Sequence, residues 1–262
     1  IAFNKSFSAF DDRLTRGGPL TRSPALNGYN FSIESDERKP WTVDFSLDYE
    51  KGGIGRSTSF EVNVGFRPSP NWNISIAPEW SREQLNAQYI ETVPDILARA
   101  TFQNRYVFAD LEQTEISLAT RVSVTFSPAL TLEVFARPFL GSGRFGQPKE
   151  LMAPRTFRFA NYNEIGTVTD AGEELEIDPD GPGPASSFEI EKENFTLRSL
   201  RGNAVLRWEW RRGSTLYLVW QQEREGETTL SSDLQLRRDL RALGGTRPEN
   251  VFMMKVSYWF NP

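Results

Sequence analysis

Residues 41–49 read WTVDFSLDY, and every second side chain in this stretch is apolar. Alternation of apolar and polar residues is the period of a β-strand whose two faces meet different surroundings. Residues 60–66 (FEVNVGF) and 72–80 (WNISIAPEW) repeat the pattern. The sequence therefore predicts antiparallel β-strands that each have one apolar and one polar face.

The same alternation continues along the chain. Further alternating stretches are 116–126, 130–136, 204–210, 216–220 and 252–260, and weaker ones lie near 2–10, 25–35, 85–92 and 104–111. Together these segments predict about twelve strands, of the length that a bilayer requires. The fold class that follows is all-β.

Aromatic residues distinguish a membrane barrel from a soluble fold. A soluble β-sandwich or β-solenoid also alternates, but its core favours bulky side chains at the strand centres. A barrel carries Trp and Tyr in girdles at both lipid–water interfaces. Here these residues recur at the ends of the apolar faces, and the predicted girdle is Trp41, Tyr49, Trp72, Trp80, Trp210, Trp220 and Tyr258. The pattern favours a transmembrane barrel, with the soluble sandwich as an alternative.

The connections between the predicted strands alternate in length. Short turns fall at 37–40, 68–71, 127–129 and 211–214, and long links at 141–194 and 223–249. Barrels have short periplasmic turns and longer external loops, so this parity places the C-terminus on the periplasmic side. Two connections do not fit this alternation. The link 93–103 falls on the short-turn side but is longer than a turn, and the connection near 112–114 falls on the long-loop side but is short.

The segment 163–193 is rich in acidic residues and contains a Gly-Pro repeat. This composition predicts a mobile external loop without a core of its own. Its carboxylates could offer hard oxygen ligands to Ca²⁺, but their spacing does not match an EF-hand, so a solvated loop is the main prediction. The weak metal candidates are Glu176, Asp178 and Asp180.

The composition excludes several classes of function. The 262 residues include no Cys and no His, which removes disulfides, thiol nucleophiles, the usual general base and the commonest metal ligand. A net charge of -5 without a basic stripe argues against nucleic acid. The longest apolar run, residues 216–220, is far shorter than the roughly 20 residues of a spanning helix. We expect no enzyme and no cofactor.

One motif matches a nucleotide-binding pattern literally. Residues 141–146 read GSGRFG, as in the dinucleotide fingerprint, but that fingerprint requires a helix directly afterwards and the sequence continues with Gln147-Pro148-Lys149. A glycine-rich loop exit is the prediction for this stretch.

Charged residues lie on the polar face of the later strands. Charges are costly against lipid, so they must face water or each other. They either brace the wall by pairing across strands or line a solute pathway and tune its selectivity. The predicted lumen-facing residues are Arg121, Glu133, Arg137, Arg207, Glu209 and Lys255.

The C-terminal half carries a family resemblance. Its most specific blocks are residues 198–203 (RSLRGN), 206–210 (LRWEW), 213–215 (GST) and 219–222 (VWQQ), with 106–111 (YVFADL) before them. They resemble the C-terminal β-barrel domain of unknown function in Gram-negative outer-membrane proteins, which commonly follows a carbohydrate-binding family 9-like domain. The resemblance covers most of the chain. It implies an outer-membrane location, outer-membrane lipid as partner and a glycan bound through a missing N-terminal module. It brings no catalytic residues.

These observations predict an antiparallel up-and-down transmembrane β-barrel over residues 1–262. Its expected function is a porin-like pore or surface platform associated with carbohydrate binding or uptake. The alternative is a non-conducting barrel that anchors a glycan-binding module. Because the chain starts at Ile1 and Lys5 interrupts the apolar face between Phe3 and Phe7, we expect part of a larger barrel. Its sheet should be open between residues near 2–10 and 251–260.

Overall fold

A computed structural model describes residues 1–228 and 233–260 of the chain. The strands are β1 (Ala2–Ser6), β2 (Ala9–Asp11), β3 (Thr21–Ser23), β4 (Leu26–Glu34), β5 (Trp41–Gly52), β6 (Gly55–Phe66), β7 (Trp72–Pro94), β8 (Asn104–Ser127), β9 (Leu130–Leu151), β10 (Phe159–Asn161), β11 (Thr167–Asp170), β12 (Glu174–Asp178), β13 (Phe188–Glu191), β14 (Phe195–Arg211), β15 (Ser214–Thr228) and β16 (Glu249–Ser257). The helices are α1 (Tyr162–Ile165), α2 (Leu236–Gly245) and a 3₁₀ turn at Arg99–Thr101.

One large antiparallel sheet dominates the fold, as the alternation predicts. Its strands follow the order β1-β4-β5-β6-β7-β8-β9-β14-β15-β16, and β10 adds a short ladder to β9. Two smaller sheets, β11-β12-β13 and β2-β3, lie in the connections. Each strand of the main path pairs with the next one along it, which is up-and-down topology.

For the path of the main sheet, which has ten strands, the predicted count of about twelve is too high, because two pairs of predicted strands are each one long strand. Strand β7 joins the expected segments 72–80 and 85–92, and β8 joins 104–111 and 116–126. Register shifts near Leu85 and Ala109 interrupt the ladders there. A bulge moves the side chains to the other face without ending the strand, which disrupts the period of two.

This correction removes both misfits in the connection lengths. The expected break at 112–114 lies inside β8, and the link after Pro94 joins β7 to β8 at the edge where the long connections leave. We call this the long-loop edge and the opposite one the short-turn edge. One short connection, Gly53-Ile54 between β5 and β6, also lies at the long-loop edge.

The register makes one face of the sheet continuously apolar. Directly opposite residues in paired strands share a face. The alignment of Val64 with Val43 on one side and Ile76 on the other carries the apolar face from β5 to β7. Similar alignments reach from Phe3 on β1 to Phe252 on β16. The apolar side chains of ten strands therefore lie on one surface.

The expected loop 141–194 is wrong at both its start and its interior. Strand β9 continues to Leu151, so the glycine-rich residues 141–146 are strand rather than loop exit. Beyond it, β10, α1 and the three-stranded sheet fold against the extended ends of β7, β8 and β9. We call this unit, residues 152–194 with those strand ends, the cap.

The cap has a hydrophobic core on each face of the extended strands. Phe108 packs with Tyr106 and Leu151 on one side, whereas the adjacent Val107 packs with Tyr162 and Ile177 on the other. Val107, Phe108, Tyr162 and Ile177 are all fully buried. The prediction of a loop without a core is therefore wrong, because apolar residues scattered at 157–190 meet only in the folded cap.

The second expected loop, 223–249, also contains regular secondary structure. Strand β15 extends to Thr228, and α2 lies in the connection to β16. Residues 229–232 of this expected loop lie outside the described residues.

The sheet is open in the part of the chain that the structure describes. There β1 pairs only with β4, and β16 only with β15. A gap therefore lies between residues near 2–10 and those near 251–260, where the sequence places it. The antiparallel all-β sheet is confirmed, and closure into a barrel stays a prediction.

Among the described helices, none combines the length and apolar character needed to span a membrane.

Candidate functional site

The polar face of the main sheet holds the six predicted charged residues. Arg121 lies opposite Phe135 on β9, which falls between Glu133 and Arg137 on the same face. Arg207 lies opposite Thr131 on β9 and Tyr217 on β15, and Tyr217 lies opposite Lys255. Glu209, two residues after Arg207, shares that face. The register thus brings all six to one side of the sheet.

Two of these arginines make side-chain hydrogen bonds on the polar face, and one of them bonds to another of the six residues. Arg137 donates from Nη2 to Glu79 Oε2 at 3.3 Å and to Ser117 Oγ at 3.3 Å. Arg207 donates from Nη2 to Glu209 Oε2, also at 3.3 Å. Their side chains are about one-third to one-half exposed, so each pair contributes at most ~1 kcal/mol.

The remaining charges are not brought into ion pairs within residues 1–228 and 233–260. The Arg121 guanidinium lies 5.2 Å from the centre of the Phe135 ring. Glu133 and Lys255 are exposed. The six residues are therefore neighbours on one face rather than a single network.

An acidic group on the same face is absent from the sequence prediction. Glu50 and Glu83 both lie opposite Ser57, and Glu115 lies opposite Ser81, two residues before Glu83 on the same face. All three glutamates belong to the part of the sheet near the long-loop edge. Glu83 continues the polar alternation of β7 from Glu79. The sequence prediction misses it because the predicted strand ends at residue 80. The polar face thus carries acidic as well as basic side chains.

The predicted girdle residues contact other aromatic rings on the apolar face. Trp41 stacks on Phe66 at 3.9 Å, and Trp80 on Phe60 at 5.4 Å between ring centroids. Trp220 stacks on Phe252 at 6.5 Å.

Their positions along the strands differ from one residue to the next. Trp41 and Trp72 begin β5 and β7, and Tyr258 follows the last residue of β16. The strands that contain Trp80 and Trp220 continue well past them. Tyr49 lies opposite Tyr29 of β4, and Trp210 lies beside Trp208 near the end of β14.

Within the cap, a largely buried charge network joins α1 to the extended ends of β8 and β9. Arg105 donates from Nε to Asp95 Oδ2 and from Nη1 to Glu150 Oε2, both at 2.7 Å. The Tyr162 hydroxyl donates to the same Glu150 oxygen at 3.1 Å. Burial opposes the charge of Asp95, but the Leu97 backbone N–H and Arg105 outweigh it and lower the pKa of that carboxyl. Burial beside Glu150 raises the pKa of Tyr162, so its hydroxyl remains a donor.

The cap also contains a cleft of about 370 Å³ between the end of β9 and the three-stranded sheet. Ile90, Val168 and Leu175 supply apolar walls. At its polar rim, Lys192 Nζ donates to Asp170 Oδ1 at 2.6 Å and to the Gly172 carbonyl at 2.8 Å. The cleft combines charged, amide and apolar groups, which suits a small polar molecule.

The weak metal candidates serve the backbone of a turn in the cap. Asp178 Oδ1 accepts hydrogen bonds from the backbone N–H groups of Asp180 and Gly181, and Asp180 Oδ2 accepts one from Ala185. Glu176 is exposed on β12. Over the described part of the chain, no group of three or more acidic side chains is placed to hold a metal ion.

Comparison with solved structures finds a siderophore receptor, PiuA, from Acinetobacter baumannii. The match covers 96% of this chain and 40% of the receptor, with 11% identity and a TM-score of 0.46. The chain thus spans less than half the length of that receptor. No curated protein matches the chain.

The family comparison covers nearly the whole chain. A match extends over residues 2–261, which contain every strand of the main sheet and the cap. An association with a carbohydrate-binding module remains a prediction. The chain belongs to a family described as a domain of unknown function (DUF5916).

Proposed function

We propose that this protein is an outer-membrane β-protein whose apolar face contacts lipid and whose polar face contacts water. The observation that carries the proposal is the continuous apolar surface of ten strands, much of which stays uncovered by the other described elements. Large side chains on it stay exposed, including Trp41 at 59% and Val43 at 47%. Exposed apolar area on this scale fits contact with hydrocarbon better than with water.

Within this function, the polar face borders an aqueous interior and the cap lies at its outer end. We propose a porin-like pathway or surface platform for carbohydrate-related solutes. The polar face offers mixed charges for selectivity, and the cap cleft offers amide and carboxylate groups that hydrogen-bond hydroxyls. The family resemblance supports the carbohydrate part.

A non-conducting anchor is the second candidate. It is favoured by the contacts of Arg137 with Glu79 and Ser117, which tie three adjacent strands together across the polar face. Such contacts brace a wall as well as they line a pathway. In both candidates the role is non-catalytic, since the chain lacks the histidine and cysteine on which barrel hydrolases and thiol enzymes depend.

The membrane part of the proposal is tested by folding the chain with and without detergent. In detergent we expect a β-type circular dichroism spectrum and a gel mobility that changes on boiling. A chain that folds to a monodisperse state in plain buffer would contradict the proposal.

Conductance of the complete protein in a planar bilayer separates pathway from anchor. If Arg121, Arg137 and Arg207 line the pathway, replacing all three with Gln should shift ion selectivity toward cations. A matched triple, Arg38→Gln, Arg67→Gln and Arg212→Gln near the short turns, should change it less. Wild-type protein that never conducts would support the anchor.

A further inference from the structure

Two arginines lie on the apolar face where the aromatic side chains end. Arg82 follows Trp80 by two residues and shares its face. Arg82 and Arg144 both contact the carboxylate of Glu112, Arg144 at 3.0 Å. The two arginine side chains are about half exposed, so each guanidinium group keeps donors free for a further anion.

Helix α2 is fixed to the same face of the sheet. Arg198 of β14 lies opposite Leu140, which lies opposite Ile116, which lies opposite Trp80. Arg198 Nε donates to the fully buried Asp239 of α2 at 3.1 Å. The helix is therefore held against the sheet on its apolar side.

The exposed surface of α2 has both basic and apolar residues. Leu236 and Leu240 are 48% and 43% exposed. Arg237 and Arg241 are exposed too, and within the described residues they form no ion pair or hydrogen bond. Residues four apart lie on one side of a helix, so the two leucines form one stripe and the two arginines an adjacent one.

The helix and the two strand arginines are contiguous. Asp233, just before α2, lies 4.0 Å from Arg144, and a shallow depression joins it to Trp80 and Arg82. We call the combined surface the headgroup patch; it consists of Arg82, Arg144, Leu236, Arg237, Leu240 and Arg241. Its four arginines outnumber the two carboxylates in contact with them, Glu112 and Asp233, so the patch is net positive.

We propose that the headgroup patch binds the phosphate-bearing headgroups of anionic membrane lipids. The proposal rests on the outer-membrane function proposed above, since the patch continues the lipid-facing surface. Basic residues beside an apolar membrane surface attract anionic lipids, and an amphipathic helix with basic and leucine stripes lies in the interfacial plane. Trp80 beneath the patch matches the usual position of an interfacial aromatic residue. The patch therefore sets both the depth of the protein and its lipid neighbours.

The test is lipid binding by the complete folded chain in a neutral detergent, measured by native mass spectrometry. The probes are phosphatidylglycerol and the zwitterionic phosphatidylcholine. Replacing Arg82, Arg144, Arg237 and Arg241 with Gln should reduce the preference for phosphatidylglycerol about tenfold or more. The matched control replaces Arg121, Arg137, Arg201 and Arg207 on the polar face, removes the same charge and should keep the preference.

Equal loss in the two quadruple variants, or no loss in the patch variant, would overturn the proposal. A double variant, Arg237→Gln with Arg241→Gln, guards against misfolding because neither side chain has a described partner. It should lower the preference by itself, and an unchanged preference in it would also count against the patch. If inorganic phosphate displaced phosphatidylglycerol at equal concentration, the patch would be a small-anion site and the lipid proposal would fail.

A second readout separates this proposal from the one on which it rests. In vesicles of brominated phosphatidylcholine, contact of the apolar face with lipid should quench tryptophan fluorescence in the wild type and in both quadruple variants. Absence of quenching in the wild type would refute the membrane function itself. Normal quenching without a phosphatidylglycerol preference would refute only the headgroup patch.

Discussion

Strand β8 passes through two different environments. At its start, the neighbours Val107 and Phe108 are both fully buried, because Tyr162 and the three-stranded sheet of the cap cover one face, whereas Phe157 and Phe159 of the cap and Leu14 of the N-terminal segment cover the other. Further along the same strand, Leu118 is 39% and Phe126 55% exposed. The cap encloses its apolar residues in protein, whereas the body of the sheet leaves one apolar face uncovered.

This contrast separates two sources of stability. In the cap, apolar area leaves water when the chain folds, so the hydrophobic effect acts within the protein. In the sheet body, the apolar face buries less area on folding, and under the proposed membrane function it depends on hydrocarbon around it. Backbone hydrogen bonds matter more there, because unpaired polar groups in hydrocarbon cost several kcal/mol each. Substitutions should therefore differ between the two regions in size and in dependence on lipid.

The largest difference is expected between two phenylalanines. Phe108→Ala should destabilise the cap by about 3–5 kcal/mol, because it leaves a cavity in a closed core. Phe60 is 38% exposed on the apolar face, so Phe60→Ala should lower the free energy of unfolding clearly less, since lipid can fill the space. Urea unfolding in detergent measures the loss of stability in both variants, and hydrogen exchange of the backbone amides shows whether the loss is confined to the cap. Equal losses would mean that the two regions share one kind of core.

A charge on the uncovered face tests its contact with lipid. Val64→Arg should cost about 2–4 kcal/mol if this position lies near the bilayer midplane. Asn63→Arg, on the opposite face beside Asp44, should cost much less, because its charge reaches water and a carboxylate. Folding into vesicles over a urea series compares the pair. Similar costs would show that the faces of β6 are assigned wrongly.

The same contrast explains how much could be predicted from the sequence. Period-two alternation depends on one face meeting a different medium, so residues 41–49 and 60–66 predict their strands and faces correctly. Residues 106–109 are buried on both faces and have no alternation, and bulges near Leu85 and Ala109 shift the period. The sequence pattern therefore predicts two separate strands in place of β7 and two in place of β8.

The contents of the cap depend on contacts that no local pattern records. Arg105 meets Glu150 across 45 residues, and Ile177 and Ile190 become core only when the small sheet folds onto β8. The acidic composition of 163–193 outweighs the few apolar residues in this segment, so the sequence predicts a mobile loop there. Similarly, Asp239 is a helix residue whose burial follows from a partner on β14.

A smaller loss of stability is expected from removing the Tyr162 hydroxyl, the uncharged group in the charge network of the cap. Tyr162→Phe removes one hydrogen bond to Glu150, which keeps its ion pair with Arg105. The cost should be about 1 kcal/mol, the usual net value of a hydrogen bond. Tyr29→Phe on the exposed apolar face is the control and should cost little. Unfolding midpoints in detergent report both, and a loss of several kcal/mol would indicate that Tyr162 holds the whole network.

The smallest effect concerns the attachment of α2, which should weaken in acid. Burial opposes the charge of Asp239, but Arg238, the Gln235 backbone N–H and Arg198 outweigh it, so the folded pKa of this carboxyl lies below its unfolded value. A depressed pKa means that the stabilisation is complete above the unfolded pKa, near 4, and is lost as the pH falls through the folded pKa. Because the chain has no cysteine, Ala242→Cys gives a unique spin-label site on α2. Label mobility should increase as the pH falls below about 4, while a label at Ser69→Cys in a short turn should change little. In Asp239→Asn the mobility should be high at neutral pH and nearly independent of pH. Mobility that increased toward high pH instead, or that changed equally in the Asn variant, would show that Asp239 does not hold the helix.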